Sequence, residues 1–393
     1  MGLTMKLLVF LAGCLLTVAL ALVLLASGNR EAMHLGFDTT QGSRNVAVAQ
    51  EGGGAASNAA LTAKLGVYYF PGWRDRTPHA PSDYPWERIK KYPEREPALG
   101  WYDEGDVTVM QSHVNTMADH GLSFVVFDWY WGRNDEVFLE HALRAFQQVP
   151  DRRGLQFSLL WANHDGAPAS LPNFDRMVAY WITNYFSDAS FLRVDGKPVV
   201  IVFSSNELDN QATKLGMAPA ALLARAQHHA QASGLPGIYF VAGTTSDEPK
   251  FKSFSRADSG YSAVTAYNLH WLPGATHASH SYAELDAAYR KHWERYESLG
   301  ELPVIYPLSS GWDKRPWGGS DDQRHDLSLA TPAEFELHLR AGVQAIQRSS
   351  KPQLGVICCW NEFGEGSYIE PTRSLGTAVV ERVGRIVKSG EAR

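Results

Sequence analysis

Glu362 and Glu365 stand three residues apart in the stretch Cys359-Trp360-Asn361-Glu362-Phe363-Gly364-Glu365-Gly366-Ser367-Tyr368-Ile369-Glu370-Pro371. Two glycines let this stretch turn sharply, so both carboxyl groups can converge on one bound molecule. Cleavage of a glycosidic bond needs such a pair: one carboxyl protonates the departing oxygen while the other assists from across the sugar ring. Trp360 and Phe363 packed nearby would raise one pKa and keep that group protonated. The spacing alone also fits two solvated loop acids. The elements that hold the stretch decide between the readings.

Eight short runs read as buried parallel strands: 65–71, 123–131, 156–163, 198–204, 238–243, 263–269, 303–308 and 353–360. They are β-branched or aromatic and almost continuously apolar, as strands covered on both faces are. Helical patterns lie between most of them. One over Val107–His120 stops at Gly121, and one over Pro219–Ser233 stops at Gly234. Ser281 to Glu284 reads as a capping box, and Thr331-Pro332-Ala333-Glu334 adds a proline at the first helical position. Only the segment between the fifth and sixth strands lacks a clear helix. Helix-to-strand links are short, whereas Gly72–Gly105 and Ser309–Ala330 are long strand-to-helix loops. This predicts an α/β fold, a (β/α)8 TIM barrel with its long loops gathered on the active face. A doubly wound open sheet is the main competitor, and no Gly-rich dinucleotide fingerprint follows any strand. The Glu362–Glu365 stretch leaves the eighth strand, on that face.

The other predicted strand ends carry side chains suited to sugars, among 12 Trp and 16 Tyr. Indoles offer an apolar face and one N–H donor. The candidate substrate-binding residues are Tyr69 and Trp73 after the first strand and Asp128, Trp129 and Trp131 at the end of the second. Trp161, Asn163 and His164 follow on the third, and Tyr267 and Trp271 on the sixth. Trp312 and Arg315 come after the seventh, Trp360 and Asn361 after the eighth. Any single Trp here is as readily a core residue.

The 36 basic against 42 acidic side chains, net −6, give no basic footprint for nucleic acid. Lys6 precedes an apolar run over residues 7–26, followed by Ala26-Ser27-Gly28. Both a cleaved signal peptide and a retained membrane anchor fit, and both imply export to the periplasm or beyond. Residues 1–28 are thus a signal or anchor, 29–63 a flexible linker and 64–393 the barrel. Cys358 and Cys359 are adjacent in a strand, where side chains point to opposite faces, so no disulfide is expected between them. Oligomeric state is left open.

The chain resembles the glycoside hydrolase family 99-like proteins, including the branch labelled WbsX-like glycosyltransferase. The resemblance is carried by Tyr68-Tyr69-Phe70-Pro71, Trp129-Tyr130, Trp161-Ala162-Asn163, Arg193-Val194-Asp195-Gly196-Lys197-Pro198 and above all Trp360-Asn361-Glu362 through Glu370-Pro371. It implies a (β/α)8 barrel similar to retaining endo-α-mannosidases. It also implies Glu365 as general acid/base, with Glu362 acting on the substrate's 2-hydroxyl through an anhydrosugar intermediate. Phe363 stands where the family usually has Trp, and Gly364 where it often has His, so the sugar is not carried over.

No cofactor is expected. His270, His277 and His280 share a predicted loop, but their spacing matches no strong ligand pattern and the chemistry needs no metal. Glu207 after the fourth strand ranks below Glu362 as an acid, and Asp321-Asp322 reads as an exposed loop pair. A carbohydrate is the expected partner. Three functions stay open: a glycosidase, a glycosyltransferase of surface-polysaccharide assembly, and a non-catalytic carbohydrate-binding barrel.

Overall fold

The computed structural model describes residues 63–74, 85–164, 166–349 and 352–389. The expected signal or anchor, and the linker apart from Ala63, lie outside them. Among the described residues no helix is long and apolar enough to cross a membrane.

Eight parallel strands form the barrel: β1 (Lys64–Tyr69), β2 (Phe124–Trp131), β3 (Gln156–Trp161), β4 (Lys197–Val202), β5 (Tyr239–Gly243), β6 (Ala263–Thr265), β7 (Tyr306–Ser309) and β8 (Leu354–Cys358). They pair in the order β6-β5-β4-β3-β2-β1-β8-β7. A parallel bridge from Val264 to Val304 joins the two edges and closes the ring. Its hydrogen bonds run from Val264 N to Pro303 O and from Ile305 N to Val264 O, both 2.9 Å. All eight predicted strands are present.

The helices are α1 (Val107–Asp119), α2 (His141–Gln148), α3 (Leu171–Trp181), α4 (Ser205–Lys214), α5 (Pro219–Ala232), α6 (Tyr282–Leu299), α7 (Pro332–Arg348) and α8 (Val380–Ser389). Between β5 and β6 only a single turn, Phe251–Phe254, is helical. Side-chain oxygens of Asp106, Ser170, Ser204, Ser281 and Thr331 accept from the first-turn backbone of their helices. Thr331 and Glu334 complete a reciprocal capping box.

Alternation along the strands divides the core in two. Val125, Phe127, Trp129 and Trp131 of β2 pack outward with the helices, as do Tyr69, Leu159 and Trp161. Tyr68, Phe124, Val126, Leu160, Val199, Ile201 and Val241 fill the barrel. Successive side chains of a strand face opposite ways, so one position's parity fixes every other.

Cys358 and Cys359 correct the expectation from strand alternation, because they form a disulfide. A cis peptide joins them. It brings their Cα atoms to 3.0 Å and defeats the alternation that would have parted the side chains.

Candidate active site

Beyond the cis peptide the chain leaves β8 and folds into a tight hairpin. Asn361 pairs with Tyr368 and Glu362 with Ser367, leaving Phe363–Gly366 as the turn. Gly366 has φ +70°, and a Cβ there would stand 2.7 Å from Asp313 N. A Cβ on Gly364 would overlap the Trp317 indole at 1.8 Å. Both glycines are therefore required by close approach, not merely by flexibility.

The hairpin is fixed on every side. Asn361 exchanges two hydrogen bonds with the Phe70 backbone, at 2.9 and 3.0 Å. The Trp73 indole donates to Asn361 O at 2.8 Å. Arg95, 1% exposed, donates to Phe363 O at 2.7 Å and to Asp313 O at 3.0 Å, and its guanidinium pairs with the Asp313 carboxylate. Asp313 N donates to Glu365 O at 2.6 Å. Ser367 Oγ donates to Gly311 O at 2.5 Å. Below, Glu370 accepts from Tyr102 and contacts His113 Nε2 at 3.2 Å. These groups come from the loop after β1, from α1 and from the loop after β7. The hairpin is thus the junction of three elements.

Its carboxyls join Asp128, the last inward-facing acid of β2. Tyr267 donates to Asp128 Oδ2 at 3.1 Å. Burial pushes Glu362 well above the ordinary carboxylate range, and the nearby charges of Glu365, Asp128 and Glu104 add to it. Burial also raises Glu365, to about 7, with Lys314 pulling the other way. Asp128 is raised by burial too, against the Tyr267 hydrogen bond. Glu362 is 6% exposed, and its Oε2 has no hydrogen-bond partner. A buried polar atom left unpaired is costly and marks a place where a ligand or water belongs.

Glu365 opens onto a cleft of about 300 Å³. Phe203, Tyr267, Asn268, His270, Trp312 and Glu248 line it, with Gly243, Thr244 and Thr245. Trp312 packs in a three-ring cluster with His270, 3.9 Å between ring centroids, and His325 at 5.3 Å, the two histidines being 5.0 Å apart. Its Nε1 donates to Ser320. The acids and the cleft sit together at the C-terminal ends of the strands, as the barrel predicts.

The structure brings Glu362, Glu365, Asp128, Tyr267 and Trp312 together and separates the other candidates. Trp129, Trp131 and Trp161 share the outward parity and are core against the helices. The Trp129 indole donates to Tyr185. Tyr69 also faces outward, 3.1 Å from His113 Nδ1. Trp73 is buried against Trp86 and Trp317. Trp360 is fully buried beside His113. Asn361 is spent on Phe70, and Asn163 on the Ser204 backbone at 2.9 Å. Arg315 commits its fork to Asp313 at 2.8 and 2.5 Å. His164 packs on Tyr130 and Phe203. Trp271 is 41% exposed on the loop after β6. Phe203 was missed, though its inward parity with Val199 and Ile201 was readable. Arg95 and Glu104 were missed because nothing in their local sequence marks them as buried.

A closed (β/α)8 barrel with clustered acids beside a cleft on its C-terminal face is a glycoside-hydrolase-like barrel. A family model described as Glycosyltransferase WbsX matches residues 170–383, more than half of the chain, and the chain belongs to that family. It is similar to the endo-α-mannosidase of glycoside hydrolase family 99 from Bacteroides thetaiotaomicron. One structure of that enzyme gives a TM-score of 0.58 at 14% identity, covering 83% of this chain and 97% of the other. A glycoside hydrolase-like protein aligns with TM-score 0.55 at 14% identity, over 84% and 93% of the two chains. These likenesses show the fold. Uncharacterized protein WxcX of Xanthomonas campestris pv. campestris is 24% identical over 305 residues, 71% of this chain. The chain spans 41% of the length of that curated relative.

Proposed function

We propose that the chain is a retaining glycoside hydrolase that cleaves within a polysaccharide or glycan. The observation that carries the reading is the coupled pair Glu362 and Glu365, fixed on one hairpin with Glu365 opening on the cleft. The charge of Glu365 raises Glu362 further above it, so over a span of pH the pair holds one proton. That is the composition an acid and a base require. In the free protein burial keeps the proton on Glu362. A sugar covering Glu365 excludes water there and draws the proton to it.

Glu362 then takes the proton of the 2-hydroxyl as that oxygen attacks the anomeric carbon. Glu365 delivers its proton to the departing glycosidic oxygen. In the second half Glu365 takes a proton from water, whose oxygen opens the anhydrosugar at the anomeric carbon, and Glu362 returns its proton to the 2-oxygen. Two inversions give retention. Trp312 offers a ring face to the sugar, and Tyr267 fixes Asp128 against the acids. Export, by signal or anchor, remains part of this proposal and places the substrate outside the cytoplasm.

The family description favours a second reading, transfer of the glycosyl group to a sugar acceptor. The test is a glycan panel incubated with the purified full chain, the anomer of the first product followed by NMR. Release of a retained reducing sugar supports hydrolysis. Products formed only from a nucleotide-sugar donor would establish the transferase. Turnover undiminished in Glu365→Gln would end the assignment of the pair.

A further inference from the structure

We infer that the loop between β6 and α6, together with the first turn of α6, holds a transition-metal ion of the zinc class on His277, His280 and Glu284. Each of the three offers a donor atom within 4.8 Å of the other two. The surrounding hydrogen bonds settle which ring nitrogens are free. His277 Nδ1 lies 2.7 Å from the Ala278 carbonyl oxygen. A carbonyl only accepts, so Nδ1 carries the proton and Nε2 keeps its lone pair. His280 Nε2 lies 2.8 Å from Asp322 Oδ2. Arg324 grips both oxygens of that carboxylate, at 3.0 and 2.8 Å. The ionised carboxylate also only accepts, so His280 donates from Nε2 and leaves Nδ1 open. Glu284 accepts the His280 backbone N–H on Oε2 at 2.7 Å, with Oε1 left to bind.

Two imidazole lone pairs and one carboxylate oxygen are a zinc-class donor set. A carboxylate behind a ligating histidine is the usual support for such a ring, fixing its tautomer and raising its basicity. Here Asp322 supplies it from the loop after β7. The two rings now lie face to face, 4.1 Å between centroids at 12°. Ligands of a tetrahedral ion sit roughly 3.3 Å apart at metal bonds of about 2.0–2.1 Å. His277 and Glu284 are exposed and have room to rotate toward an ion. Water would take the remaining position. The spacing of these ligands along the sequence is unremarkable. The supporting Asp322 is 42 residues away from His280 in the chain.

The same loop carries Tyr267, Asn268 and His270 to the cleft. An ion at its outer end would fasten that wall, and the site stands whether or not the barrel is a glycosidase. The test is equilibrium dialysis of the full chain against zinc chloride, with bound metal quantified by mass spectrometry. One zinc per chain is expected, lost in the His277→Ala, His280→Ala double variant. Asp322→Asn should weaken binding roughly 10–100-fold. Thermal melts in chelator should show every variant unfolding cooperatively, so that a loss of metal is not a loss of fold. Cobalt(II) should give the visible bands of a tetrahedral site in wild type and not in the double variant. No bound zinc, or equal stoichiometry and affinity in the double variant, overturns the proposal.

Discussion

Replacing Glu365 by Gln should inactivate the protein and stabilise it, but only at the alkaline side. A Glu carboxyl that titrates at 4.5 when unfolded and at about 7 in the fold has its pKa raised. Its contribution to stability is then fully present below 4.5 and is lost as pH rises through about 7. By pH 8 the wild type bears the cost of ionising a buried carboxyl, about 3 kcal/mol from that difference. At pH 5 most of the cost has not yet appeared. Gln is neutral throughout and nearly the same shape. The stability gap between variant and wild type should therefore widen by about 2–3 kcal/mol from pH 5 to pH 8. A domain of this length unfolds with an entropy near 0.7 kcal/mol per kelvin, so Tm should diverge by about 3–4 °C. Thermal melts of both proteins at the two pH values measure it. A gap independent of pH would show that Glu365 titrates normally, and would remove the electrostatic basis for the pair.

Other consequences are equally concrete. The logarithm of kcat/KM should fall with unit slope below about pH 7, where the pair takes up its second proton; a flat profile from pH 5 to 7 would contradict the shared proton. Arg95→Met leaves the Asp313 carboxylate to Arg315 alone and removes the donors to the Phe363 and Asp313 carbonyls, a loss of about 1–3 kcal/mol; urea unfolding midpoints should show it, and kcat should drop with the hairpin unclamped. Gly364→Ala forces the Trp317 ring aside, an overpacking cost of about 1–3 kcal/mol, read as a lowered Tm and refuted by a wild-type melt.

How much was legible follows from period. Eight apolar runs separated by helix caps specify eight buried parallel strands, because no other arrangement satisfies those backbones and faces together. The hairpin acids were legible because glycines at 364 and 366 announce a sharp turn whatever the tertiary context. The platforms were not. Asp128 and Trp129 are neighbours in sequence, yet one faces the barrel interior, where Tyr267 donates to it, and the other the helices. Aromatic content at a strand end says nothing about parity until one residue of that strand is anchored. The Cys358–Cys359 pair shows the same limit from the other side. A cis peptide is not written in apolar spacing, and it alone reverses an alternation that holds along the rest of the strand.

Parity therefore makes its own prediction, one that separates platform from core. Trp312 lines the cleft and Trp161 does not, although both are buried and both were candidates. Trp312→Ala should raise the dissociation constant for a glycan ligand about tenfold, the loss of one ring contact. Trp161→Phe should leave that constant unchanged and lower stability by about 1–3 kcal/mol through the space it vacates beside Trp181. Titration calorimetry on an inactive Glu365→Gln background gives the first quantity and chemical unfolding the second. Equal loss of affinity from the two substitutions would mean that the inward and outward faces of β3 have been assigned the wrong way round. The sugar would then have to reach β3, which contributes no residue to the cleft described above.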